Sequence, residues 1–301
     1  MRRAVKQSVA RPRLACEITN TRVIAARAGE NASELEMFTS RHLVPGTVVP
    51  ALSGGNIKDA SLLRSAISSA LSPVGGSSRE VVAILPDAAV RVLLLEFDNL
   101  PAKPQESDAI IRFRLKKSLP FDVDQAALSC DVRRSNGALQ VVAAVSPREV
   151  VHEYEAAFRD AGYSPGVVLP SSLAALGLME GDRPTLMLKV DSANITVAAA
   201  VNRELRLMRT LDNPHGESVA AAELAETVLP SIVFFEDTFG ARIERIFVTG
   251  LASLDLIGPM LHQQTGARVE ELAPRLSSAA NLSGETFEPS MMAGVAGALL
   301  A

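Results

Sequence analysis

One pattern runs twice along this 301-residue chain, and it leaves few ways to fold it. Each cycle has short apolar strands doubled back on one another, then a helix, then a buried strand. In the first cycle, strands are expected at residues 14–18, 22–27 and 34–39, with a Thr-Asn-Thr turn between the first two and a short extended piece at 47–49. A helix is expected over 58–71, because Leu62, Leu63, Ala66, Ile67 and Ala70 share one face, and it should end before Pro73. A buried strand at 81–85 follows. The second cycle repeats this with strands at 185–190, 195–201 and 204–209, a long helix at 217–239 and a strand at 245–249 leading into Gly250. A helix at 254–265, a strand at 267–271 and a polar, loop-like stretch at 277–288 come after it. The chain is long enough for two lobes, each with its own core.

The cycles are separated by a third kind of unit, expected at about 88–145. It starts with a strand at 90–95, Pro101 and Pro104 then interrupt the chain, and a cationic helix runs over 105–118 until Pro120 stops it. At about 100° per residue, Ile111, Leu115 and Leu119 form one apolar stripe and Ile110 and Phe113 another, with Arg112, Arg114, Lys116 and Lys117 around them. Strands at 126–133 and 138–145 flank Ser135-Asn136-Gly137, a strong hairpin signal. A helix over 147–161 ends at Gly162. The small-residue helix at 291–300 is expected to pack tightly between lobes.

Composition excludes several classes. A net charge of −4, no Trp and two Tyr give no reason to expect a nucleic-acid partner. Cys16 and Cys130 are far apart and read as two buried or partly buried thiols in a reducing compartment. His42, His152, His215 and His262 share no metal-ligand spacing. The basic N-terminus, with Arg2, Arg3, Lys6, Arg11 and Arg13, lacks the apolar region of a signal peptide and reads as a solvated tail, with contact to an anionic membrane surface as the other reading. No apolar run is long enough to span a bilayer, so a cytoplasmic location is expected.

ILPDAAVRVLLLEFDNLP, continuing after a short gap into AIIRFRLKKSLPFDVDQAALSCDVR, resembles the inserted subdomain of the type IV pilus assembly PilM family, and SIVFFEDTFG and RIERIFVTGLASL resemble parts of its second lobe. The resemblance covers nearly the whole chain. It implies an α/β, actin-like (ribonuclease H-like) two-lobed fold, with the first lobe at 1–180, the insert at about 88–145 and the second lobe at 181–301. It further implies a cytoplasmic adaptor, peripheral to the inner membrane, that grips the N-terminal peptide of the membrane protein PilN between the insert and the first lobe. Ile111, Arg112 and Leu115 are the candidate wall of that groove, the alternative being that the stripe is internal core. A ring of several copies and contacts with other platform and motor proteins are implied by analogy. The related type II secretion protein GspL has similar architecture.

In actin-like folds two hairpin turns pinch a nucleotide's phosphates, using Gly for close backbone approach and Asp to hold magnesium, so ATP and Mg are the cofactors the resemblance implies. The chain departs from that pattern. Where the family's first turn resembles Asp-Ile-Gly, Glu17-Ile18-Thr19 stands here, followed by Asn20 and Thr21. At the second, Lys189 occupies the acid's place, followed by Asp191, Ser192 and Asn194. At the adenosine loop, Gly250 and Ser253 keep half of the expected Gly-Gly pattern. The expectation is a pseudo-ATPase with no catalytic residue and no metal ligand set. An ATPase that binds and hydrolyses ATP remains the alternative, with Asp191 as a metal-side acid or Lys189 as a phosphate contact.

Overall fold

The computed structural model describes residues 12–135, 137–216, 219–251, 254–255, 257–274, 280–282 and 289–301. Arg2, Arg3, Lys6 and Arg11 of the basic N-terminus, and most of the loop expected at 277–288, lie outside the described residues.

The first cycle contains β1 (Leu14–Ile18), β2 (Arg22–Ala28), β3 (Leu35–His42), α1 (Ala60–Gly75) and β4 (Glu80–Leu85). The insert adds β5 (Arg91–Phe97), α2 (Pro104–Leu115), β6 (Ala126–Ser135) and β7 (Ala138–Pro147), and α3 (Arg148–Asp160), β8 (Ser164–Pro170) and α4 (Ser171–Ala175) lead out of it. The second cycle contains β9 (Thr185–Val190), β10 (Asn194–Val201), β11 (Glu204–Asp212), α5 (Ala221–Phe239), β12 (Arg245–Thr249), α6 (Ile257–Thr265) and β13 (Arg268–Glu271), and the chain closes with α7 (Ala293–Leu300).

The two cycles build sheets of the same topology. One runs β3-β2-β1-β4-β8 and the other β11-β10-β9-β12-β13, each an antiparallel meander extended by two parallel strands. Parallel pairing requires a crossover, and α1, α3, α5 and α6 supply it, covering the outer faces. Leu63, Ile67, Leu71, Tyr154 and Phe158 fill the outer core of the first lobe, and Val228, Ile232, Phe235 and Leu261 that of the second. The inner faces meet α4 and α7, which lie between the sheets.

The chain does not keep to two contiguous halves. Ala280–Asn281 pairs in parallel with β3, and α7 packs on the first sheet through Val295, Ala296 and Leu299. The small-residue helix thus packs between the lobes, as expected, and Ala280–Asn281 adds a strand to the first sheet. Small residues make this close approach feasible: a Cβ at Gly297 would lie 2.0 Å from the Ala174 carbonyl oxygen.

Several boundaries differ from expectation for local reasons. α1 starts at Asp59, whose carboxylate accepts from the Ser61 and Leu62 amides, and it continues through Pro73. Pro73 sits in the last turn, where losing one N–H costs little against burying Leu71 and Val74. Pro104 does not break the chain but opens α2 at its first position. α2 gives way to a turn after Leu115, short of the expected Ser118, as the chain approaches Pro120. In the Gly54-Gly55-Asn56 segment the two glycines are exposed but the loop is tied down. Asn56 is buried, and the Glu149 and Glu153 carboxylates on α3 accept from the Gly54, Asn56 and Ile57 amides. Of the two thiols, Cys16 is buried as expected, but Cys130 is exposed, contrary to the expectation of a buried or partly buried thiol.

Candidate functional site

β1 and β9 are equivalent strands, and strand alternation decides what they present to the space between the sheets. Leu14, Cys16 and Ile18 face the outer helices, as do Leu186, Leu188 and Val190. Glu17 and Lys189 therefore point inward at matching positions, and both are buried, at 3% and 5% exposure. The Lys189 ammonium ion-pairs with Asp191 and, at 3.3 Å, with Asp87 from the turn after β4. Asp87 is held in turn by the Ser172 amide at 2.9 Å and by the Ser172 hydroxyl. Glu17 Oε1 accepts from the Ser171 hydroxyl, while Oε2 is buried with no hydrogen-bond partner among the described residues. α7 crosses directly above: a Cβ at Gly294 would sit 2.3 Å from Glu17 Oε2, so a larger residue there would have to displace the Glu17 carboxylate.

These surroundings set the charges. Burial pushes the Glu17 carboxyl up to about 7, against the opposing pull of Lys189 and of the Ser171 hydrogen bond. Burial acts to lower the Lys189 pKa, but Asp191, Asp87 and Glu17 outweigh it and hold the ammonium charged. Three carboxyl groups thus converge on one ammonium. Among the described residues, no group of three or more His, Cys, Asp or Glu is arranged to hold a metal ion.

The two hairpin turns close over this cluster. In the β1–β2 turn the Thr19 hydroxyl accepts from the Thr21 amide at 3.2 Å and the Arg22 amide at 3.0 Å, so these two N–H groups are satisfied within the turn. In the β9–β10 turn the Asp191 amide donates to the Asn194 carbonyl at 2.8 Å, and the Asn213 side chain donates to the Asp191 carbonyl at 2.7 Å. The turns touch, because the Ser192 hydroxyl donates to Asn20 Oδ1 across the cleft. The β12 end is equally tight: Gly250 has φ +85°, and a Cβ there would lie 1.9 Å from the Val190 carbonyl oxygen.

The structure thus brings Glu17, Asn20, Thr21, Lys189, Asp191, Ser192 and Gly250 around one cavity, with Asn194 on an adjoining one; Ser253 lies outside the described residues. The first cavity holds about 50 Å³ and the second about 20 Å³. Small-molecule pockets typically need about 300–1,000 Å³.

The insert is arranged differently. α2 packs Ile111 and Leu115 onto Val141 and Ala143 of β7, and these residues are core. A buried side chain cannot wall an open groove, so the expectation that Ile111 and Leu115 contact a partner is corrected. Arg112 is also internal in its role, pairing with Asp108 at 2.7 Å and donating to the Val123 and Ala126 carbonyls, which ties α2 to the start of β6. On the other face of the three-stranded sheet, register places Asp131 opposite Val142 and Arg133 opposite Gln140. Here a groove of about 720 Å³ opens toward Leu176 and Met179, which follow α4, and Leu205 on β11. Glu180, Arg183 and Arg203 rim it.

Reading the sequence missed Asp87, Ser171 and Ser172, and the groove. Asp87 carried a signal, a lone acid directly after the buried strand β4. β8 and α4 carried little, since Ser164-Pro-Gly in an edge strand breaks the apolar pattern.

No protein-family model and no curated protein sequence matches the chain. Solved structures do. A structure titled "PilM-PilN type IV pilus biogenesis complex" is 19% identical, covers 96% of this chain and 98% of that one, and superposes with a TM-score of 0.79. The cytoplasmic domain of EpsL, an inner membrane component of the type II secretion system of Vibrio cholerae, covers 96% and 94% at 11% identity and a TM-score of 0.55. The ethanolamine utilization protein EutJ from Carboxydothermus hydrogenoformans covers 96% and 89% at 6% identity and 0.51. The fold is the actin-like, two-lobed α/β fold expected from the repeated meanders, with an inserted subdomain.

Proposed function

We propose, from the premise of this shared fold, that the chain is a non-catalytic scaffold of a type IV pilus assembly platform. In this reading it sits at the cytoplasmic side of the membrane and binds the N-terminal peptide of a PilN-type membrane protein. The observation that carries the proposal is the end-to-end likeness to the complex of that name, insert included. The groove beside the insert supports it. Leu176, Met179, Leu205 and Val142 give an apolar floor and Arg133, Arg183 and Arg203 a charged rim, which is what an extended peptide with one or two apolar anchors requires.

The cleft between the lobes supports a scaffold rather than an ATPase. Lys189 supplies a positive charge among the acids where a metal ion would be needed, Thr19 occupies the amides that a phosphate would need, and about 50 Å³ leaves no room for a nucleotide. The residues present do not fit Mg-ATP, so no chemical step is assigned to them. The ring of copies and the further platform and motor contacts are part of the same proposal and rest on the fold alone.

Titration calorimetry with a synthetic PilN N-terminal peptide, with and without Mg-ATP, tests this. Micromolar binding indifferent to ATP is expected, weakened tenfold or more by Leu176→Ala with Arg183→Ala. Heat from Mg-ATP without peptide binding would overturn the scaffold reading in favour of a nucleotide-dependent enzyme.

A further inference from the structure

α2 has two faces, and only one is spent on the insert's own core. Ile111 and Leu115 are buried beneath it, but Phe113 is 76% exposed and Ile110, three residues before it, 40% exposed. They lie on the side of the helix away from the buried Ile111 and Leu115. The charges beside them are sorted in the same way. Lys103 pairs with Glu106, Arg112 with Asp108 and Lys116 with Asp124. Arg114 and Lys117, which follow Phe113 by one and four positions, are exposed and have no ion pair or hydrogen bond among the described residues. Two exposed apolar side chains on α2 are therefore followed by two uncompensated cations, Arg114 in the last turn of the helix and Lys117 in the turn after it, on a chain whose net charge is −4.

We infer that this face of α2 docks on an anionic lipid bilayer, with Phe113 and Ile110 entering the headgroup boundary and Arg114 and Lys117 meeting lipid phosphates. The occupant follows from shape and charge together. A convex helix face with protruding apolar tips fits a deformable surface, and unpaired cations select a negative one. The groove of about 720 Å³ lies on the opposite face of the sheet. Each such cation is worth about fivefold in binding to an anionic surface, so a single copy binds reversibly and weakly.

The chain contains no Trp, which gives a clean probe. Phe113→Trp is expected to fold as the parent does and to show a blue shift in emission with phosphatidylglycerol-containing vesicles at millimolar lipid, but not with phosphatidylcholine vesicles. Arg114→Gln with Lys117→Gln should weaken vesicle binding about twenty-fold, and Phe113→Ser about tenfold, both with an unchanged melting temperature. No blue shift, or a shift equal on neutral vesicles, overturns the inference. So does vesicle pelleting that survives both sets of substitutions, since the contact then lies elsewhere, in the basic N-terminus. If the three substitutions abolish pull-down of an acidic protein partner while vesicles are ignored, the face is a protein-docking surface and the lipid reading is wrong. Peptide binding in the groove is a separate measurement and stands or falls independently.

Discussion

The cleft between the lobes and the groove beside the insert differ in what fills them. In the cleft, about 50 Å³ remains after Lys189, Asp87, Asp191 and Glu17 have packed against one another and the two turns have joined through Ser192 and Asn20. In the groove about 720 Å³ stays open, with half-buried apolar side chains below and charges at the rim. Both lie between units of the same fold. The difference teaches that a position able to hold a ligand in principle can be occupied by the protein's own charges, after which it acts as a clasp. On the proposed scaffold reading, binding capacity lies where the chain leaves apolar surface uncovered.

The strongest way to break that comparison is to remove the clasp's cation. Lys189→Met leaves the buried Asp87 and the half-buried Asp191 without a counter-charge and should destabilise the protein by about 3–5 kcal/mol, read from urea denaturation at pH 7. A loss below about 1 kcal/mol would mean that the cluster is hydrated and the cleft open. Glu17 gives the next largest effect. Its carboxyl titrates near 7 in the folded protein against 4.5 ordinarily, so between those pH values the folded state keeps a proton that the unfolded chain has released. Its contribution to stability is full below about pH 4.5 and falls as pH rises to about 7, by about 3 kcal/mol in total. Glu17→Gln, which mimics the protonated form, should remove that slope and be the more stable protein at pH 8; equal pH dependence in the two proteins would refute the assignment.

Gly250→Ala drives a methyl into the Val190 carbonyl and forces an alanine to positive φ, for an expected loss of about 2–3 kcal/mol in thermal denaturation. The smallest effect belongs to the contact between the turns: Asn20→Ala should cost about 1 kcal/mol. It sharpens the comparison if Mg-ATP still gives no thermal shift to the variant, because the turns then stay closed without their hydrogen bond.

Much of the fold was legible because periodicity is a local property. Leu-Ala-Cys-Glu-Ile and Thr-Leu-Met-Leu-Lys-Val announce strands wherever they occur, and both strands formed at the expected residues. The candidate cleft residues were legible through their positions at or just after the ends of β1, β9 and β12, and all that are described line one pair of cavities. The roles on α2 were not legible. Its pattern showed two apolar stripes, but nothing in it said which stripe the sheet would cover, and Ile111 and Leu115 proved to be core while Phe113 stayed outside.

By itself, then, the sequence determined the two meanders, the helices that follow them, the Asn-Gly hairpin of the insert and the displaced acid and glycine of the two turns, since each depends on neighbours a few positions away. The tertiary structure alone decided that Asp87, Ser171 and Ser172 join Lys189 and Glu17, and that the chain's end returns to the first sheet. It also decided that the open volume lies behind the insert. Those facts depend on residues far apart in sequence, 85 positions for Asp87 and Ser172, 154 for Glu17 and Ser171 and 243 for Met37 and Ala280, brought together by the burial of two sheets against α4 and α7, and no local pattern encodes such distances.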